Sequence, residues 1–259
     1  MPNKQYGFTL VELAIVLMII GLLIGGVLRG QELMANAQVS SAIEQVKAYE
    51  GAWHTFTDEY SALPGDMPNA TTKLPGCTAA NSCQDGNGDS VIGTLGAGAV
   101  GQPWIDVDNT IPSENSQFWR QLALAHLITG VDPSADTPDW GKTNPTASIG
   151  GGFFIHYADF NGGGTFGTTS AHYLVLRNTI TGQWVCGGGT STGACVISPM
   201  RAAQIDRKAD DGVATTGDII AISANWQNGC GTSGAGLNGP NGYAETQSDK
   251  ACDMMFQIQ

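Results

Sequence analysis

Apolar side chains fill almost every position from Phe8 to Leu28, and Glu12 is the one charge in that run. Leu13 to Leu28 carries no charge at all. As an α-helix the run extends about 31 Å at ~1.5 Å per residue, close to the thickness of a bilayer's hydrocarbon core. The pattern then changes without a break. Val39, Ile43, Val46, Tyr49, Trp53, Phe56 and Tyr60 recur at steps of three or four, while Gln38, Ser41, Glu44, Gln45 and Lys47 fall largely on other faces. Such steps make a single apolar stripe on a helix. The two patterns together predict one helix of about fifty residues, from Phe8 to near Tyr60. Its first half, apolar all round, seeks lipid or copies of itself; its second half turns one face to a globular core.

Beyond Tyr60 the pattern breaks into short pieces. Pro64 disfavours helix at Leu63, and Pro64-Gly65 suits the middle of a turn. Residues 113 to 130 predict a second helix: Ser113 or Asn115 caps it, Phe118, Leu122 and Ala125 form its apolar face, Trp119 and Leu127 widen that face, and Gly130 stops it. A third, short helix starts at Ser198-Pro199 and runs towards Lys208. Strand patterns occupy 153–157 (FFIHY), 172–177 (HYLVLR), 183–186 (QWVC) and 218–223 (DIIAIS). Long helix, loops, helix, then mostly strands is an α+β order: a head on a helical stalk.

Composition narrows the setting. Of 259 residues, 36 are Gly and only 13% are charged, which fits a loop-rich exported protein. The net charge of −12 repels phosphate backbones, so no direct nucleic-acid binding is expected. Six cysteines, Cys77, Cys83, Cys186, Cys195, Cys230 and Cys252, form no CxxC pair and have no histidine at metal-ligand spacing. In an exported chain they read as three disulfides, and nearest-neighbour pairing (Cys77–Cys83, Cys186–Cys195, Cys230–Cys252) is the simplest of the fifteen connectivities. The glycines Gly21, Gly25, Gly26 and Gly30 either permit local bending and close helix–helix approach or are simply tolerated in a membrane helix.

A secretory signal peptide is the rival reading of the amino terminus, with Ala35-Asn36-Ala37 as a small-residue cleavage site. The length of the apolar run, Glu12 at its entry side and the continuity of the helical stripe past Ala37 oppose it. The stretch Gly7-Phe8-Thr9-Leu10-Val11-Glu12, behind a six-residue leader with Lys4, resembles the processing site of the type IV pilin family, which includes the pseudopilins of type II secretion. The Leu-Pro-Gly-Asp stretch at 63–66 and IDRKADDG at 205–212 resemble segments of large pilin-like proteins. No proline interrupts the long helix, a departure from many pilins, so any flexing falls to the glycines.

The resemblance implies cleavage by prepilin peptidase between Gly7 and Phe8 and N-methylation of Phe8. It divides the chain into a leader (1–7), a transmembrane or filament-core half-helix (8–30), an amphipathic half-helix (31–60) and a pilin-like head (61–259) in which the helix packs on an antiparallel sheet. It assigns Glu12 to assembly: the carboxylate of one subunit meets the α-amino group of Phe8 in its neighbour and sets the stagger. The alternative leaves Glu12 unpaired in the headgroup region. Implied partners are prepilin peptidase, identical or related pilin subunits, the inner membrane, and an assembly platform with its ATPase. The implied location is the inner membrane, head in the periplasm, and afterwards a periplasmic or cell-surface filament. The implied function is that of a structural subunit of a type IV pilus or type II secretion filament; the alternative is a minor tip pilin that binds surfaces or DNA. In related pilins a carboxyl-side disulfide loop makes an exposed or subunit-contacting surface, the role expected of the Cys230–Cys252 loop.

Candidate chemistry adds little. DGNGD places Asp85, Asn87 and Asp89 as alternating oxygen ligands for Ca²⁺, with Asp106 or Asp108 as a remote completing acid, although the EF-hand glycine and final glutamate are replaced by Ser90 and Gly96. A polar turn explains the same residues. Asp206, Asp210 and Asp211 are either a second Ca²⁺ set or helix-end caps that pair with Arg207 and Lys208. His54, His126, His156 and His172 are scattered without an HExxH, GxSxG or P-loop pattern, and FNGGGTFG (160–167) reads as a hairpin loop. No enzyme is expected and no cofactor is required.

Overall fold

The computed structural model describes residues 9–93, 113–158, 170–180, 195–222, 230–231 and 242–258. Helix α1 spans Leu10–Tyr60 without interruption. It starts at Thr9, whose side chain caps the first turn, and ends at Ser61 in a left-handed conformation. Val39, Ala42, Val46, Tyr49, Ala52, Trp53 and Phe56 are its buried residues. The stripe read from the sequence is therefore the packed face, with Ile43 and Tyr60 half-buried at its margin and two alanines completing it.

Three shorter helices follow: α2 (Ala70–Lys73), α3 (Glu114–Leu124) and α4 (Pro199–Ala209). Four strands, β1 (Gly152–Ala158), β2 (Ala171–Arg177), β3 (Ile219–Ile222) and β4 (Asp253–Ile258), form one sheet in the order β1-β2-β4-β3. Every pairing is antiparallel, and Leu174 stands opposite both Ile155 and Phe256. The head is thus α+β and pilin-like: the carboxyl half of α1 lies on a four-stranded antiparallel sheet.

The main core lies between them. Tyr49 packs edge-on to Trp119 and to Phe153, with ring centroids 5.1 and 5.5 Å apart. Alternation along the strands sends Phe153, Ile155, Leu174, Leu176, Met254 and Phe256 into this core. The other face of the sheet is also buried, through Phe154, Tyr173, Val175, Ile220, Ile222 and Met255. Burial on both faces explains why these strands read as near-continuous apolar runs.

Two expectations need correction. Helix α3 stops at Leu124, not near Gly130, because His126 adopts φ 59° and the N–H of Leu127 turns back to the Leu122 carbonyl at 3.0 Å. This left-handed stop is made by a histidine, where glycine is the usual signal. Strand β4 was not anticipated, yet it sits inside the sheet between β2 and β3. The strand pattern at 183–186 and the loop at 160–167 fall outside the described residues.

Two disulfides pin the loops. Cys77–Cys83 closes the turn after α2, and Cys230–Cys252 ties a segment before β4 to the start of that strand, each with Cα atoms 5.1 Å apart. Cys195 is also disulfide-bonded, while the expected partner Cys186 lies outside the described residues.

Candidate functional site

The amino-terminal half of α1 leaves the head as a bare rod. Leu10, Leu13, Ile15, Leu17, Met18, Leu22, Ile24 and Leu28 are each about half to nine-tenths exposed, and the first buried residue of the helix is Val39. A window of this rod has mean hydropathy 2.7 and none of it is buried, so by length and composition it can cross a membrane. Exposing that many large apolar side chains to water is untenable; a soluble monomer scatters such residues singly.

Glu12 sits in the first turn of this rod. The Thr9 N–H and the Thr9 hydroxyl each donate to its Oε2 at 2.9 Å, and the Glu12 N–H donates to Thr9 Oγ1 at 3.2 Å. This is a capping box: side chains satisfy N–H groups that the first turn cannot. Its negative charge also lies at the positive end of the helix dipole. Both donors converge on one oxygen, so among the described residues Oε1 has no hydrogen-bond partner. Gly7 and Phe8 lie outside the described residues.

The head holds a second polar centre, which composition and motif spacing did not single out as a site. Asp66, from Leu-Pro-Gly-Asp, is buried and accepts from the backbone N–H groups of Gly88 and Ser90 at 2.6 and 2.8 Å. Glu114, in the first turn of α3, accepts from the N–H groups of Asn87 and Gly93, both at 3.0 Å. Four backbone donors between Asn87 and Gly93, two of them in DGNGD, thus wrap two carboxylates. Burial pushes the pKa of both groups up; the charge of Asp89 adds to this at both, and that of Asp66 adds to it at Glu114. Of the residues read as Ca²⁺ ligands, Asn87 and Asp89 bond to each other, whereas Asp85 turns away to accept from the N–H and hydroxyl of Thr71. Hydrogen bonds within the chain account for the shape of this loop. Asp106 and Asp108 lie outside the described residues.

The carboxylates of Asp206, Asp210 and Asp211 lie within 4.8 Å of one another, the one such group of three among the described residues. Each already serves as a clamp. Asp206 accepts from Gly212 N–H and, at 2.6 Å, from the buried Tyr243 hydroxyl. Asp210 accepts from Ile219 N–H at the start of β3, and Asp211 from Val213 N–H and the Thr216 hydroxyl. Their expected partners differ: Arg207 pairs with Glu245, and Lys208 reaches the Ser40 hydroxyl. The histidines do not assemble a site either. His156 is buried in the sheet, and His172 packs on Trp53 while accepting from Ile92 N–H. Burial pushes both imidazoles down to about 4, so both are neutral near pH 7.

Comparison with known proteins points to the amino terminus. Residues 2–28 match the family model of the prokaryotic N-terminal methylation motif. The amino terminus carries a prepilin-type cleavage and methylation motif. No curated protein and no solved structure matches it. The motif implies processing by prepilin peptidase and assembly into filaments, and chains that carry it are generally structural subunits without enzymatic activity. The bare apolar helix of this prepilin-type chain is consistent with an inner-membrane anchor.

Proposed function

We propose that the protein is a structural subunit of a type IV pilus-like or type II secretion filament. Cleavage after Gly7 and methylation of Phe8 produce the mature subunit. It waits in the inner membrane through residues 8 to 28 with its head in the periplasm, and is then drawn into a helical filament whose centre is made of α1. The observation that carries this reading is the bare apolar half of one continuous helix, directly behind the methylation motif.

Glu12 gives that assembly its register. Thr9 holds Oε2 in the subunit's own capping box, which leaves Oε1 for the methylated α-ammonium of Phe8 in the adjacent subunit. In hydrocarbon an unmatched carboxylate is costly, so staggers that fail to bring the ammonium to Oε1 are disfavoured.

Mass spectrometry of the mature protein tests the processing step. A methylated Phe8 terminus is expected; a terminus at Gln38 rejects the reading. Glu12→Ala is expected to be exported and cleaved normally but to be lost from filaments. Filaments at wild-type yield in that variant would remove Glu12 from the mechanism.

A further inference from the structure

We propose that His172 is an acid-released latch: as a neutral imidazole it holds the segment 87–93 on the sheet, and on protonation it lets that segment go. The device is independent of filament assembly.

The segment 87–93 belongs to no helix or strand, and each of its seven backbone N–H groups donates to a side chain. Those of Asp89 and Val91 turn inward, to Asn87 Oδ1 and Asp89 Oδ1, both at 2.8 Å. Asp66, from the loop after α1, and Glu114, from α3, take four more. The last goes to the sheet: Ile92 N–H donates to Nε2 of His172, on β2, at 3.1 Å. Ile92 is fully buried in the main core, so its N–H cannot turn to bulk water when that acceptor is lost.

The hydrogen bond fixes the tautomer. A ring nitrogen that accepts carries no proton, so the neutral imidazole has its proton on Nδ1. Protonation turns both nitrogens into donors, and two N–H groups then oppose each other where Ile92 meets the ring. The ring is clamped between Trp53 of α1 and Tyr157 of β1, with centroids 5.1 and 4.9 Å away, and His172 stands opposite Ile258 of β4. These neighbours are an indole, a phenol and an aliphatic chain, and none is a carboxylate or an ammonium. Asp89, within the segment, favours the imidazolium, but burial outweighs it and pushes His172 down to about 4. His156, the other imidazole of the sheet, is disfavoured as a cation by burial first, then by His172 and Arg177.

The two carboxylates that grip the segment act with the opposite sign. Burial pushes Asp66 and Glu114 up, so the held state takes their protons before the released state does, and acid tightens their grip. Release in acid therefore falls to His172. It bares Ile92 and the His172–Trp53 contact behind it, so the head changes its surface without unfolding its sheet.

The test is hydrogen–deuterium exchange of the full chain in detergent, read by mass spectrometry, with each rate divided by the intrinsic rate at its pH. Peptides covering 87–93 are compared with peptides of β2 and β4. A released ring regains the ordinary histidine value of 6.5, so protection of 87–93 falls by up to about fiftyfold between pH 7 and 4.5. This fall is expected to exceed that in β2 and β4, to vanish in His172→Gln, whose amide accepts without titrating, and to persist in His156→Gln. Near-UV circular dichroism establishes that each variant is folded. A fall of the same size in His172→Gln overturns the latch, as does a wild-type fall shared equally by the sheet, which is global unfolding. Should His172→Gln not fold, the wild-type profile decides alone: steady protection of 87–93, or equal loss everywhere, overturns the proposal. None of these outcomes touches the filament reading, which the terminus of the mature protein tests separately.

Discussion

Gly65→Ala strikes the joint between α3 and the loop that follows α1. Gly65 has φ 91°, a left-handed conformation that costs an L-residue about 1–2 kcal/mol. A Cβ there would lie 2.5 Å from the Glu114 carbonyl oxygen and 3.0 Å from the Phe118 nitrogen. Both atoms belong to the backbone of α3, which is buried on nearly all sides, so neither yields cheaply. Relief requires the loop to back away, at an overpacking cost of about 1–3 kcal/mol. That movement also stretches the 2.7 Å bond from Gly65 N–H to the buried Gln121 side chain, worth about 1 kcal/mol. The sum is about 3–6 kcal/mol, and for a head of this size each kcal/mol lowers Tm by about 2–4 °C. Thermal unfolding of the full-length protein in detergent, followed by near-UV circular dichroism, should show a loss of about 10 °C. A loss below about 2 °C would refute the reasoning and mean that Gly65 and α3 are not rigidly engaged.

Three further outcomes follow from the structure. Cys230→Ser with Cys252→Ser opens a loop of 22 residues in sequence separation and should lower stability by about 3 kcal/mol, read as an earlier denaturant midpoint than wild type. Burial holds His156 neutral by pushing its pKa down to about 4, so the unfolded chain binds the proton first as pH falls. Stability from this group is complete above about pH 6.5 and is lost between there and pH 4 at up to ~1.4 kcal/mol per unit. Urea midpoints at pH 7 and 4.5 should differ less in His156→Gln than in wild type. Asp66→Asn removes the charge that two backbone N–H groups converge on, and should cost about 1–3 kcal/mol and speed amide exchange at Gly88 and Ser90.

Much of this was legible in the sequence wherever one period held over many residues. The α1 stripe repeats often enough that its burial follows directly, and a proline after serine marks α4. The strands at 152–158, 171–177 and 219–222 announce themselves through β-branched and aromatic residues. Strand β4 did not. DMMFQI carries two flexible methionines and a buried Asp253 where a strand former is expected, and its place in the sheet comes from partners 80 residues away in β2, such as Met255 opposite Val175. The end of α3 was hidden for a different reason: a histidine took the conformation that glycine advertises. At the amino terminus Glu12 stands out in the sequence for its cost in lipid, but that one of its oxygens is held by Thr9 is a matter of rotamer, which no spacing reveals. The union of Asp66 and Glu114 across the DGNGD loop is likewise a tertiary event between segments far apart in the chain.

The strand order has a temporal consequence. In a head threaded across a membrane in chain order, β3 emerges well before β4, yet its ladder partner is β4, as is the second partner of β2. Until residues 253–258 arrive, two strand edges stay open and sticky, and a chain of this kind passes through an interval in which neighbouring nascent heads can trade strands. The insertion of β4 as a keystone closes that interval, and the nearby oxidation of Cys252 with Cys230 then locks it in place.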